Sequence, residues 1–188
     1  MAADEVNREP PFRIRRGLPG DLAGVARVHV EAWMSSYRGI VPDERLDALT
    51  VESDLAAGFG SSLTNPAPGI ACFVATVREN EIVGYAFGGP THVPEPGFNG
   101  ELRAIYLLQS HQGRGIGTAL VREIARHLLA TGRTNMIVWA FAENPYRRFY
   151  EKLGGRPVGQ RTADSRIAGT PVLEVSYGWQ DLSALAHP

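Results

Sequence analysis

Alternation and helical spacing divide the chain into elements before any chemistry is considered. Phe12 and Ile14 alternate with Arg13 and Arg15, the period of a half-buried strand, and Gly17-Leu18-Pro19-Gly20-Asp21 breaks it and leads into a helix. That helix carries Leu22, Val25, Ala26, His29, Trp33 and Tyr37 on one stripe, with Arg27 and Glu31 off it, and ends at Gly39-Ile40-Val41-Pro42. A short second helix is predicted over 43–49, and 50–69 mixes helical and loop character. Residues 70–77 and 82–87 form a hairpin ending at Gly88-Gly89-Pro90, followed by a loop rich in Pro and Gly that runs to Gly100. Leu102, Ile105, Leu107 and Leu108 then mark a strand. A helix comes next, with Ile116, Ala119, Leu120, Ile124, Leu128 and Leu129 on one face and Arg122, Glu123 and Arg126 opposite, until Gly132. Residues 136–141 are apolar throughout, which predicts a central strand buried on both faces. A helix over 143–153 and closing strands over 156–162 and 172–179 complete the order. With a parallel crossover from the 102–108 strand to the 136–141 strand, the pattern is mixed α/β.

Composition narrows the class. With 188 residues, 44% hydrophobic and 21% charged, the chain suits one globular domain, placed at 11–180 between a flexible N-terminal tail, 1–10, and a C-terminal tail, 181–188. No apolar run approaches the ~20 residues of a bilayer span, and the first ten residues are acidic and polar, so a cytoplasmic protein without a membrane partner is expected. A net charge of −1 supplies no global field for nucleic acid, so any phosphate site must be local. The single Cys72 forms no internal disulfide, no cysteine cluster offers a metal site, and its apolar strand setting predicts an inert thiol.

The strongest chemical signal is Gln112-Gly113-Arg114-Gly115-Ile116-Gly117-Thr118, set between a buried strand and an amphipathic helix. Backbone N–H groups at a helix start lack intrahelical partners and sit at the positive end of the dipole, while glycines let a ligand approach bare backbone. Phosphate fits such a place; a strand-to-helix turn using glycine only for geometry is the alternative. A Walker loop would need a lysine that is absent, and a dinucleotide fingerprint would need glycine where Thr118 stands.

Gln112, Gly115 and Gly117, following the strand Gly100-Glu101-Leu102-Arg103-Ala104-Ile105-Tyr106-Leu107-Leu108, resemble the pyrophosphate loop of the GNAT superfamily of acyl-CoA-dependent N-acyltransferases. Glu143-Asn144-Pro145 and Phe149-Tyr150-Glu151-Lys152-Leu153-Gly154 resemble its second signature, and the resemblance covers about residues 11 to 180. The interval from Asn144 to Tyr150 is one residue shorter than is usual there, and Gly155 replaces the usual aromatic. The resemblance implies a single-domain GNAT fold: a mixed, mostly antiparallel central sheet with a parallel, splayed strand pair and flanking helices. It implies acetyl-CoA as cofactor, its pyrophosphate on backbone amides of Gln112, Gly113, Arg114, Gly115, Ile116, Gly117 and Thr118. Pantetheine would pair with backbone near Ile105, Tyr106 and Leu107, and Asn144 would flank the thiol end.

Tyr150 is the candidate general acid, because a phenol with a pKa of ~10 is still protonated when a thiolate of ~8.5 departs; packing on the core is the structural alternative. Glu101 lies where many family members place the carboxylate that draws the amine proton, and is otherwise an exposed strand-end side chain; His29 and Glu31 are weaker candidates. Trp33 and Tyr37 are either core or, as in one GNAT branch, an apolar wall beside the acceptor, completed by His92 and Glu95. The resulting expectation is transfer of an acetyl group from acetyl-CoA to a primary amine in a ternary complex. The partner is a small-molecule or peptide amine, and a homodimer is a compatible assembly. A non-catalytic acyl-CoA-binding module is the rival.

Overall fold

The computed structural model describes residues 11–56, 60–163 and 168–187; the expected tail at 1–10 lies outside them. The strands are β1 (Arg13–Arg16), β2 (Ala71–Thr76), β3 (Ile82–Glu95), β4 (Phe98–Leu107), β5 (Met136–Phe141), β6 (Arg156–Thr162) and β7 (Leu173–Trp179). The helices are α1 (Leu22–Ser36), α2 (Asp43–Asp47), α3 (Val51–Ala56), α4 (Ser61–Thr64), α5 (Ile116–Ala130) and α6 (Arg148–Lys152), with a short C-terminal helix at Ser183–Ala186. One seven-stranded sheet runs in the order β1-β2-β3-β4-β5-β7-β6. Among the described strands only β4 and β5 pair in parallel, so the expected mixed, mostly antiparallel sheet is the architecture found. No helix among the described residues is long and apolar enough to cross a membrane.

α5 covers one face of the sheet, against β2, β3 and β4, because Ile116, Leu120, Val121, Ile124, Ala125 and Leu128 share its buried stripe. α1 covers the other face, against β3 and β4. There Trp33, Tyr37, Val41, Leu46 and Phe141 form a second, aromatic-rich cluster beside the main core. β5 lies in the sheet interior, with Met136, Ile137 and Val138 buried, as its unbroken apolar run requires.

Three boundaries differ from the sequence reading. The stretch expected as a loop to Gly100 is the outer half of a hairpin: β3 continues to Glu95, Pro96-Gly97 turns the chain with Gly97 at φ +82°, and β4 begins at Phe98. The ladder is interrupted between Pro90 and Glu95, which accommodates a residue with no N–H to donate. The helix expected from Glu143 starts only at Arg148. Asn144 Oδ1 accepts from the Tyr146 N–H at 2.8 Å, closing a side-chain turn around Pro145. The residues set apart as a C-terminal tail pack on α5: Leu182 and Ala186 are fully buried, and Arg126 Nε donates to the Ala186 carbonyl at 2.9 Å. Their signal was Leu182, Leu185 and Ala186 at helical spacing.

Candidate active site

The parallel ladder holds only Glu101 opposite Ile137 and Leu102 opposite Val138. Past these pairs β4 and β5 diverge, and a cavity of about 580 Å³ opens between 103–107 and 138–140, closed by the loop before α5, by α6 and by the end of α1. A bulge sets which face of the sheet each β4 side chain takes. Gly88 pairs with Leu102 but Phe87 pairs with Ala104, so Arg103 is one residue extra. Leu102 therefore joins the core beneath α5, whereas Ala104 and Tyr106 face α1, where the Tyr106 ring lies edge-on to His29 at 5.2 Å.

The loop from Gln112 to Thr118 presents open backbone to this cavity. Gly113 and Gly115 adopt φ of +72° and +81°, conformations that favour glycine, and a Cβ on either would meet nothing within 4 Å. Gly115 caps α5 without a side-chain hydrogen bond, and Ala119 donates back to the Gly115 carbonyl at 3.0 Å. The N–H groups ahead of Ala119 have no helical acceptor and stand at the positive end of a 15-residue helix. Arg103, Arg148 and Lys152 line the same cavity and, among the described residues, no carboxylate or histidine does. Arg148 and Lys152, four apart, share the cavity face of α6. This half of the cavity is built for a polyanion such as a diphosphate.

Tyr150 lines the other half. Its ring packs on Phe149, Tyr177 and Trp179, while its hydroxyl makes no hydrogen bond among the described residues. Burial, with smaller effects of Tyr37 and Tyr177, raises the phenol well above its ordinary pKa, so it stays protonated. Asn144 lines the cavity too, so the shorter Asn144–Tyr150 interval still brings both residues to one space. Gly155 has a packing reason: a Cβ there would meet Trp179 at 2.7 Å and the Tyr150 carbonyl at 2.9 Å. Trp179 occupies that space and donates from Nε1 to the Leu153 carbonyl at 2.8 Å.

Comparison with known proteins gives the family. The FR47-like protein family model matches residues 93–163, the segment from the end of β3 to just past β6 that builds most of this cavity. An uncharacterized N-acetyltransferase of Bacillus subtilis, YuaI, is 34% identical over 172 residues, covering 92% of this chain and 95% of that protein. The chain belongs to the GNAT superfamily. Among solved structures, a GCN5-related N-acetyltransferase from Rhodopseudomonas palustris superposes with a TM-score of 0.69 at 20% identity, covering 92% of this chain and 97% of that one. The PaiA N-acetyltransferase of Thermoplasma acidophilum, solved in complex with coenzyme A, gives 0.65 at 19% identity, covering 89% and 99%. Both share the GNAT fold.

Within this GNAT site the other expected residues divide. Ile105, Tyr106, Leu107, Gln112, Gly113, Gly115, Gly117 and Thr118 line the cavity, and Gln112 Nε2 reaches the Leu107 carbonyl at 3.4 Å. Ile116, its side chain buried in the core, and the exposed Arg114 do not line the cavity. Tyr37 lines it and shares a 3.3 Å hydrogen bond with Tyr106 through their hydroxyls. Burial first, then the neighbouring Tyr106 and Glu174, raise the Tyr37 phenol well above its ordinary value. Trp33 does not line the cavity; it packs edge-on to Tyr37 at 4.9 Å, behind the wall. Ala32 and Ser36, small residues on the adjacent stripe of α1, line it instead.

Glu101 is not brought to the cavity wall. Its Oε2 accepts from the His92 N–H at 2.6 Å and lies 4.0 Å from Arg103 Nε. His92 and Glu95 border a shallow cleft with Pro90, Phe98 and Arg133, apart from the main cavity. Glu31 is an exposed partner of Arg27. Sequence reasoning missed Arg103, Trp139, Arg148 and Lys152, all at the cavity wall.

His29 lies behind the wall, its Nδ1 2.7 Å from Tyr85 Oη and its Nε2 3.7 Å from Asp54 Oδ2. Burial lowers its pKa from 6.5 to about 4. Between those values the unfolded chain binds the proton and the fold does not, so stability falls as pH drops through that window, by about 3 kcal/mol at ~1.4 kcal/mol per unit. Asp54, raised by burial, acts in the opposite sense, gaining stability as it protonates. Comparing wild type with His29→Gln isolates the imidazole: urea unfolding at pH 7 and pH 4.5 is expected to show a smaller loss in the variant. Equal losses would mean that the folded imidazole is charged.

Proposed function

We propose that this GNAT protein transfers an acetyl group from acetyl-CoA to a primary amine by direct attack within one ternary complex. The observation that carries the reading is one cavity joining the uncapped N–H groups before α5 to the Tyr150 hydroxyl. Backbone from Gly113 to Thr118, with Arg148 and Lys152, would hold the coenzyme's phosphates, and the unpaired edges of β4 and β5 would accommodate its pantetheine chain. Acetyl-CoA supplies the acyl group already activated as a thioester. Tyr150 Oη holds the proton that the departing sulfur needs. Tyr37 and Tyr106 present hydroxyls where the amine would enter from the α1 side.

The amine loses its proton to water at the cavity edge, from which Glu101, beside Arg103, draws it off. An unaltered pH–rate profile in Glu101→Gln would leave water as the final acceptor. Direct transfer is supported by Cys72, which lies in the core on β2 with its thiol pushed up to about 12 by burial and, secondarily, by Asp21. It is no acyl carrier.

Two measurements test the reading. Acetyl-CoA at ~100 times its dissociation constant adds ~2.7 kcal/mol and is expected to raise the melting temperature by several degrees, whereas NADH is not. Coenzyme A release is then followed across a panel of amines. A melting shift without release for any amine would favour the non-catalytic acyl-CoA-binding module.

A further inference from the structure

The acceptor side of the cavity has a feature the transfer reaction does not require. Trp139 lines the cavity from β5, and its ring already holds a cation: the Arg161 guanidinium carbon lies 3.9 Å from the ring centroid. Arg161 comes from β6, the edge strand, whose residues are all exposed. Its Nε donates to Glu174 Oε2 at 2.8 Å, and its Nη1 lies 3.4 Å from Glu95 Oε1. Glu174 is 7% exposed and pairs with Phe141, part of the aromatic cluster that contains Tyr37.

Two carboxylates against one guanidinium leave one negative charge on this seat. The opposite end of the cavity carries Arg148 and Lys152, whereas Arg103, on the Trp139 side, is engaged by the Pro90 carbonyl and Glu101. No carboxylate lines the cavity itself among the described residues, so Glu174 and Glu95, the latter bordering the neighbouring cleft, stand behind Arg161. The site is therefore polarised: it favours anions where the coenzyme's phosphates would lie and cations beside Trp139. An indole face flanked by two carboxylates is a receptor for a cation, by ring quadrupole and by charge together. Its resident, Arg161, has a side chain 40% exposed, so it can swing into water without leaving a buried charge unpaired when a second cation takes its place.

Resting on the acetyl-transfer reading, we propose that Trp139, Glu174 and Glu95 form a subsite for a second cationic group on the acceptor, held by Arg161 in the free protein. The acceptor class is then a dicationic amine, a diamine or an amine bearing a guanidinium, in preference to a monoamine or an amino acid with a free carboxylate.

Coenzyme A release is compared for an α,ω-alkanediamine, the monoamine of equal length and the matching ω-amino acid. Binding of each to the coenzyme A-loaded protein is measured by calorimetry. The diamine is expected to exceed the monoamine in kcat/KM and affinity by about tenfold, one such cation–aromatic and carboxylate contact being worth roughly 1.4 kcal/mol. Glu174→Gln is expected to erase that ratio. Arg161→Ala, at an exposed position that threatens folding less, is expected to increase it, because the resident competitor is gone. Equal affinities for diamine and monoamine would overturn the subsite, as would a diamine preference lowered in Arg161→Ala. A preference for the ω-amino acid would do the same and make Arg161 an anion reader. Preferential diamine binding without turnover of any amine would retain the subsite and overturn acetyl transfer.

Discussion

Tyr150→Phe is expected to lower kcat for amine acetylation by about 10²-fold or more while changing acetyl-CoA affinity less than about threefold. The substitution is clean because of how the ring is held. Phe149, Tyr177 and Trp179 pack around it at centroid distances of 5.5, 5.6 and 6.4 Å, contacts a phenylalanine keeps. The hydroxyl has no hydrogen-bond partner among the described residues, so its removal strands no buried group and stability should change little. What is lost is one proton donor in a cavity whose remaining titratable lining is tyrosine, arginine and lysine. Because burial raises the phenol's pKa, the proton is held on Tyr150 at neutral pH and is in place when charge develops on the sulfur as the carbon–sulfur bond breaks. An effect confined to the reaction's later stage lowers kcat and kcat/KM together and leaves binding alone. Steady-state kinetics beside calorimetric binding decides the matter: equal losses in affinity and kcat would make Tyr150 a wall of the pocket and nothing more.

The parts of this molecule that could be read from sequence are those whose information is local. The stripes of α1 and α5 and the unbroken apolar run of β5 each carry their period within one element. The 112–118 loop carries its chemistry within seven residues, and it opens onto the cavity. Glu101 shows where local reading stops. Glu101 lies in the part of β4 still paired with β5, opposite Ile137, whereas the cavity opens only from Arg103 onward, where residues of both facings line it. Where that pairing ends is a property of two strands more than thirty residues apart, so no pattern in β4 alone reports it. Trp33 and Tyr37 sit one turn apart on a single stripe, yet only Tyr37 reaches the cavity, because the aromatic cluster on the α1 face takes up the Trp33 ring. The proline-rich outer half of β3 failed for another reason: Pro90 is the last pair before the ladder is interrupted and Pro94 falls within the interruption, so the usual strand-breaking signal misleads. Arg148 and Lys152 did carry a signal, two cations four apart on a helix following the glycine loop. It gains meaning only once α6 is known to face that loop.

Gly117→Val is expected to show the opposite signature to Tyr150→Phe, weakening acetyl-CoA binding by at least about tenfold. Gly117 lies in the first turn of α5, where the N–H groups have no helical partner, and it lines the cavity. A Cβ built there would sit 3.2 Å from Phe149 Cζ and 3.3 Å from Cε2, closer than ordinary van der Waals contact. Alanine would therefore ask Phe149 to yield by a few tenths of an ångström. Valine adds two further carbons, which must either push Phe149 back against Tyr150 or stand between the backbone and an approaching phosphate. Each charge-assisted hydrogen bond lost to an N–H in this loop is worth ~1.5 to 3 kcal/mol, so even one accounts for the tenfold, and two for far more. Gly117→Ala should fall between wild type and Val, whereas a loop that used glycine only to turn the chain would lose stability without losing affinity. The distinguishing measurement pairs unfolding of the free protein with acetyl-CoA titration of all three proteins. Unchanged affinity in Gly117→Val, with the fold intact, would remove the start of α5 from the donor site and with it the main physical support for an acyl-CoA ligand.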